Sequence, residues 1–155
     1  EGDALHHTTK WIQEIAEDSD EISVNPMNIQ KRTIVDRIFR NREYRPPWLW
    51  SLVQMIRNVH DDIHPEGESS RSRLIVHPTA AGSVRGAHNC GRCDKEVAAA
   101  IERYSVSGSL LEFEGLSCEC ESQWKAEIDL DTSLPIPLGS GIDRRLDPIE
   151  ALLSP

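Results

Sequence analysis

The sequence predicts an α+β fold in which an N-terminal bundle of about three helices packs on a small zinc-stapled unit of one helix and a β-hairpin. Three observations point there. Apolar residues recur at helical spacing through most of residues 1–60, while short alternating segments appear only beyond residue 73. The four cysteines fall as two close pairs, Cys90/Cys93 and Cys118/Cys120, both in the second half.

Taken in order, Asp3 to Glu17 reads as a first helix, with Leu5, Ile12, Ile15 and Ala16 near one face. The charged run Asp18-Ser19-Asp20-Glu21 ends it as a turn. Asn25-Pro26 is a start signal, because Asn accepts from orphan amides and Pro fits the first helical position. A second helix is expected from there to about Arg42, burying Ile29, Ile34, Val35, Ile38 and Phe39. Arg45-Pro46-Pro47 stops it and opens a third, whose face of Trp48, Leu49, Leu52, Val53, Ile56 and Val59 is the most apolar in the chain. Residues 60–73 turn polar and read as a loop; Leu74-Ile75-Val76 is a strand, and Thr79 to Ala87 a loop of small residues. Asp94 to Tyr104 is expected as a helix on the spacing of Val97, Ala98, Ile101 and Tyr104, with Asp94 favoured by the helix dipole at its start. Leu110 to Leu116 and Trp124 to Leu130 alternate and are expected to pair as a hairpin around the second cysteine pair.

At 155 residues the chain fits one domain, expected over residues 1–131, with helices filling 1–60 and the zinc-bearing segment at 73–131. Residues 132–155, punctuated by Pro135, Pro137, Gly139 and Gly141, are expected as an extended tail. The opening Glu1-Gly2-Asp3 reads as an excised domain or processed fragment. No apolar run approaches the roughly 20 residues that span a bilayer.

The assignment of zinc rests on spacing. Cys90-Gly91-Arg92-Cys93 lets two thiolates reach one ion from a tight turn, and Cys118-Glu119-Cys120 supplies two more. Four soft ligands describe a closed tetrahedral site, hence structural Zn²⁺ bound by Cys90, Cys93, Cys118 and Cys120. Two disulfides or four unpaired thiols are the alternatives, and His88 is a candidate to replace one cysteine. So sparse a cysteine count suits a reducing, intracellular setting, cytoplasmic or nuclear.

His64-Pro65-Glu66 followed by Cys90-Gly91-Arg92-Cys93 resembles the zinc deaminases, whose signature is His-x-Glu followed by Pro-Cys-x-x-Cys. The resemblance implies zinc on His64, Cys90 and Cys93, with Glu66 shuttling protons for a bound water. Asn89 stands where that family has proline, and Cys118 and Cys120 have no role in it. No serine-nucleophile elbow, phosphate-binding loop or His-Glu-x-x-His motif occurs.

The formal charge is −9, unevenly placed: residues 26–60 hold seven bases against two acids, while both flanks are acidic. The basic 31–45 segment, followed by Tyr44, Trp48 and Trp50, suits nucleic acid through arginine–phosphate contacts and stacking, against the repulsion of the whole molecule. Trp48 shares the apolar stripe of the third helix; Trp50 lies off it and is expected to be exposed. A protein partner fits more of the chain, with Arg37, Arg40, Arg42 and Trp50 as anchors and Ile149, Leu152 and Leu153 as a docking turn in the tail. Self-association through an uncovered helical stripe is a further expectation. The reading is therefore a non-enzymatic regulatory or adaptor protein with a structural four-cysteine zinc site that binds a protein partner. Nucleic-acid binding and deaminase-like catalysis are its alternatives.

Overall fold

The computed structural model describes residues 1–65 and 72–133, the last three of these by backbone only. In chain order the elements are α1 (Gly2–Ile15), β1 (Glu21–Val24), α2 (Ile34–Arg40), α3 (Leu49–Ile63), β2 (Arg73–Val76), α4 (Asp94–Ser107), a single 3-10 turn (Leu110–Phe113) and α5 (Cys120–Ser133). The mixed α+β class is as expected: among the described residues, five helices surround one two-stranded parallel sheet. β1 and β2 pair in register, Glu21 with Arg73 through Val24 with Val76. No described helix is long and apolar enough to cross a membrane.

α3 is the axis of the molecule. Leu49, Trp50, Leu52, Val53, Met55, Ile56, Val59 and Ile63 are all buried, so the first turns are covered all round and solvent meets the helix on the later face of Arg57, Asn58 and Asp61. Each such side chain contributes about 1.5–3 kcal/mol on burial. α1 and α4 both pack on it, β2 packs on α4, and α5 closes over α1. A single apolar cluster joins Ile12, Ile22, Val59, Val76, Ile101, Phe113 and Trp124, so both halves of the chain share one core.

Three elements depart from the sequence reading. β1 is the first: the acids of 18–21 mask its alternation, yet Ile22 is buried between exposed Glu21 and Ser23. Second, the helix expected from Asn25 to Arg42 is only seven residues long. Residues 25–32 spend their backbone elsewhere, with the Ile29 amide donating to the Arg85 carbonyl at 2.8 Å. Arg32 then adopts a left-handed φ of 68°, which cannot continue a helix. Third, the expected hairpin is absent: residues 110–113 form the 3-10 turn and α5 takes the place of the second strand. Cys120, Trp124 and Ile128 face inward four residues apart. That spacing satisfies a two-residue period and nearly satisfies 3.6, so alternation alone could not discriminate. The cysteine-bearing unit is consequently two helices and a turn. α5 also takes in the first two residues of the expected tail, and 134–155 lie outside the described residues.

α2 is fixed by one buried carboxylate. Thr33 caps the helix by accepting from the Asp36 amide at 3.1 Å. Asp36 in turn accepts from the Arg32 amide (2.9 Å), from Arg40 (2.9 Å) and from Arg85 (2.8 Å), tying α2 to the loop after β2. The Arg32 amide, with Arg85 and Arg40 behind it, holds the Asp36 carboxyl well below its ordinary value of 3.8. Because the folded value is depressed, the carboxylate's contribution is complete above about pH 4 and is lost as pH falls below it. The acid limb of a urea-midpoint-against-pH curve is therefore expected to flatten in Asp36→Asn. An unchanged limb would remove this carboxylate as the anchor of α2.

Candidate metal centre

The chain brings its two cysteine pairs together at the N-terminal ends of α4 and α5. Cys93 is the capping residue of α4, and Cys120 is the first residue of α5. Between Cys90 and Cys93 the backbone reverses through Gly91 at φ +90°, a conformation glycine reaches without strain. The Asp94 carboxylate holds that turn, accepting from the amides of Asn89 (2.8 Å) and Gly91 (2.6 Å).

Cys90 Sγ lies 3.7 Å from Cys118 Sγ, and Cys93 Sγ lies 3.6 Å from Cys120 Sγ. All four sulfurs fall within 4.8 Å of one another, and none is joined in a disulfide. Tetrahedral coordination at a Zn–S distance of about 2.3 Å places sulfurs about 3.8 Å apart, so the spacing fits four thiolates around a single ion. The donor set is closed: the group comprises four cysteines with no imidazole or carboxylate among the ligand atoms. This arrangement supports a bound metal.

The environment is graded from inside to outside. Cys93 and Cys120 are buried and Cys90 is exposed. Burial pushes the Cys93 and Cys120 thiols up, since an isolated thiolate there would be unsolvated. The Arg92 amide, donating to Cys90, draws that thiol down to about 6. The two inner sulfurs each accept an N–H from the protein: Asn89 Nδ2 donates to Cys93 at 3.3 Å, and Trp50 Nε1 donates to Cys120 at 3.3 Å. Asn89 is itself oriented, its Oδ1 accepting from the Trp50 amide at 3.2 Å. Donors of this kind stabilise sulfur-borne negative charge and fix ligand orientation. Outside the cluster, Arg92 and Glu119 form a 2.8 Å ion pair that links the two cysteine turns.

The remaining candidate residues have separate fates. Trp50 is 4% exposed, against the expectation of an exposed contact. Its indole falls off the stripe of Trp48 and Leu52 because α3 is buried on that side as well, against the cysteine centre. His88 does not join the sulfur group; its Nδ1 lies 2.8 Å from the Gly86 carbonyl oxygen. The deaminase-like set is not assembled. His64 packs at the far end of α4 from Cys93, its Cε1 3.3 Å from where a Cβ on Gly108 would stand. A 14-residue helix, roughly 20 Å, separates the two; Glu66 lies outside the described residues. Arg37, Arg40 and Arg42 are exposed on and just after α2. Ile149, Leu152 and Leu153 lie outside the described residues. Sequence reasoning missed Asn89 as a sulfur donor and Asp94 as the clamp of the turn, although both directly flank the first cysteine pair.

No family model matches the chain, and no solved structure matches it. Among curated proteins the likeness is specific. The chain is similar to the beta subunit of archaeosine synthase. It is 34% identical over 131 residues to that subunit from Methanosarcina acetivorans, covering 84% of this chain and 36% of the relative. The Thermococcus kodakarensis subunit is 36% identical over 108 residues, covering 69% and 32% respectively. An uncharacterized protein of Methanocaldococcus jannaschii is 28% identical over 121 residues, 76% of this chain and 31% of its own length. The chain thus spans about a third of the length of these relatives.

Trp50→Phe preserves the apolar bulk of the indole and removes only its N–H donor. It is expected to leave the far-ultraviolet dichroism unchanged and to weaken metal binding by about tenfold in a chelator competition.

Proposed function

We propose that this chain is a zinc-stapled, non-catalytic portion of a subunit of the archaeosine synthase beta kind. In this reading one Zn²⁺ on Cys90, Cys93, Cys118 and Cys120 holds α4 to α5, so that a surface for a partner subunit stays in shape. The observation that carries it is the closed donor set: four sulfurs at single-ion spacing, two of them buried and hydrogen-bonded. A catalytic zinc keeps a position for water or substrate, and four thiolates fill every position. Structural zinc contributes on the order of 10 kcal/mol in small domains, so its removal should be felt throughout α4 and α5.

Support for the partner role comes from the relatives' name, which describes one subunit of a larger enzyme. A groove of about 600 Å³ between α1, α3 and α5 offers a surface, with apolar walls that include Leu5, Met27, Met55 and Leu130. Met27 and Leu130 are well exposed there. The thiols and the archaeal relatives favour a reducing cytoplasmic setting.

Elemental analysis is expected to return one zinc per chain. Treatment with a strong chelator, or Cys93→Ser, should lower the thermal midpoint by more than about 10 °C. A metal-free chain with the same midpoint would refute the structural role, and a coloured protein carrying iron would replace zinc. For the partner, co-expression with the complementary subunit of an archaeosine synthase should give one complex on gel filtration. Met27→Glu with Leu130→Glu should dissociate it while leaving zinc content at one. Failure of the parent chain to form any complex would end the subunit reading.

A further inference from the structure

The corner of the molecule around α2 carries a charge opposite to the rest, and it is built rather than incidental. Between residues 31 and 45 there are five arginines and one lysine against Asp36 and Glu43, in a chain of net charge −9. Asp36 is buried and already committed to Arg40, Arg85 and the Arg32 amide. Arg45 is committed as well, lying 3.8 Å over the Trp48 ring and donating to the His88 carbonyl. Lys31, Arg32, Arg37 and Arg42 are exposed and make no salt bridge among the described residues. They flank or sit on a helix roughly 10 Å long, which Ile34, 72% exposed, shares with Arg37 at a spacing of three.

Arg42 gives the clearest sign that charge outweighs backbone comfort here. α2 ends in a Schellman turn, with the Glu43 amide donating to the Ile38 carbonyl and the Arg42 amide to Phe39. The residue at its turning point adopts φ +60°, where glycine is the usual occupant and a side chain is strained. Arg32, at the other end of α2, repeats this at φ +68°. Beside Arg42 is a concave depression of about 650 Å³ whose walls are Phe39, Arg40, Arg42, Glu43, Tyr44 and Arg45. Guanidinium forks match phosphate oxygens, and partly buried aromatic rings beside them offer faces for bases.

From this we infer that the α2 corner is an RNA-binding surface. Lys31, Arg32, Arg37 and Arg42 engage successive backbone phosphates, and a base enters the depression against Phe39 and Tyr44. The inference does not depend on the metal reading. The acidic remainder of the chain repels RNA, so contact is confined to this corner and is strongly salt-dependent.

The test uses the full metal-loaded chain and two fluorescent probes, a folded RNA hairpin with a single-stranded loop and an unstructured RNA strand of about 12 nucleotides. Fluorescence anisotropy is read from about 50 to 300 mM salt. Arg42→Gly relieves the left-handed strain, so it is expected to raise the thermal midpoint by about 3 °C. The same change should weaken RNA several-fold and reduce the magnitude of the log–log salt slope by roughly 0.7, the loss of one phosphate contact. A merely structural residue would not move stability and affinity in opposite directions. Arg32→Glu with Arg37→Glu should weaken binding by more than about tenfold, with dichroism and zinc content unchanged. No binding by the parent chain, or an Arg42→Gly variant with parental affinity and slope, would overturn the assignment. Equal competition by poly-glutamate at matched charge would give the corner to an acidic protein surface and overturn it likewise.

Discussion

Two buried sulfurs, Cys93 and Cys120, lie 3.6 Å apart at the starts of α4 and α5, and this juxtaposition governs the second half of the molecule. A buried thiolate pair without a cation would repel and be unsolvated; a neutral thiol pair would fix neither helix. A metal there would neutralise the pair and make a rigid corner at the point from which α4 runs back along α3 and α5 runs across α1. Trp50 then has a double role. Its ring fills the core of α3, and its indole N–H aims at Cys120, so the central helix and the cysteine centre are registered by one side chain.

The first half is organised by a different device. α2 is too short to hold itself, and it is held by Asp36, which gathers Arg32, Arg40 and Arg85 from three places in the chain. Arg85 also lies 5.3 Å over the Phe39 ring and donates to the Ile29 carbonyl, so the loop before the cysteines serves as the backing for the basic corner. A strongly positive corner adjoins an apolar groove over α1, α3 and α5, the two sharing Glu43, Tyr44 and Arg45 in their walls, and the cysteine centre has no acid, base or imidazole among its ligand atoms.

The likeness to archaeosine synthase beta subunits runs through most of this chain. The matched stretch is about a third of each relative.

Legible in the residues alone were the mixed class, the three strongly periodic helices now seen as α1, α3 and α4, the strand at Leu74–Val76, and the cysteine spacing that pointed to one ion. Each of these is a local pattern, readable because side-chain period and short-range geometry are properties of neighbouring residues. What tertiary structure decided was everything that needed a distant partner. β1 exists because β2 pairs with it, and the 25–32 segment is drawn out of a helix where Arg85 bonds the amide and carbonyl of Ile29 and Asp36 takes the Arg32 amide. α5 is a helix because Cys120, Trp124 and Ile128 meet the core at a spacing that strand and helix share. Trp50 turned inward for the same kind of reason: Leu49 to Val53 are all buried, and solvent reaches α3 only on the later face of Arg57, Asn58 and Asp61, a division that only the packed molecule shows.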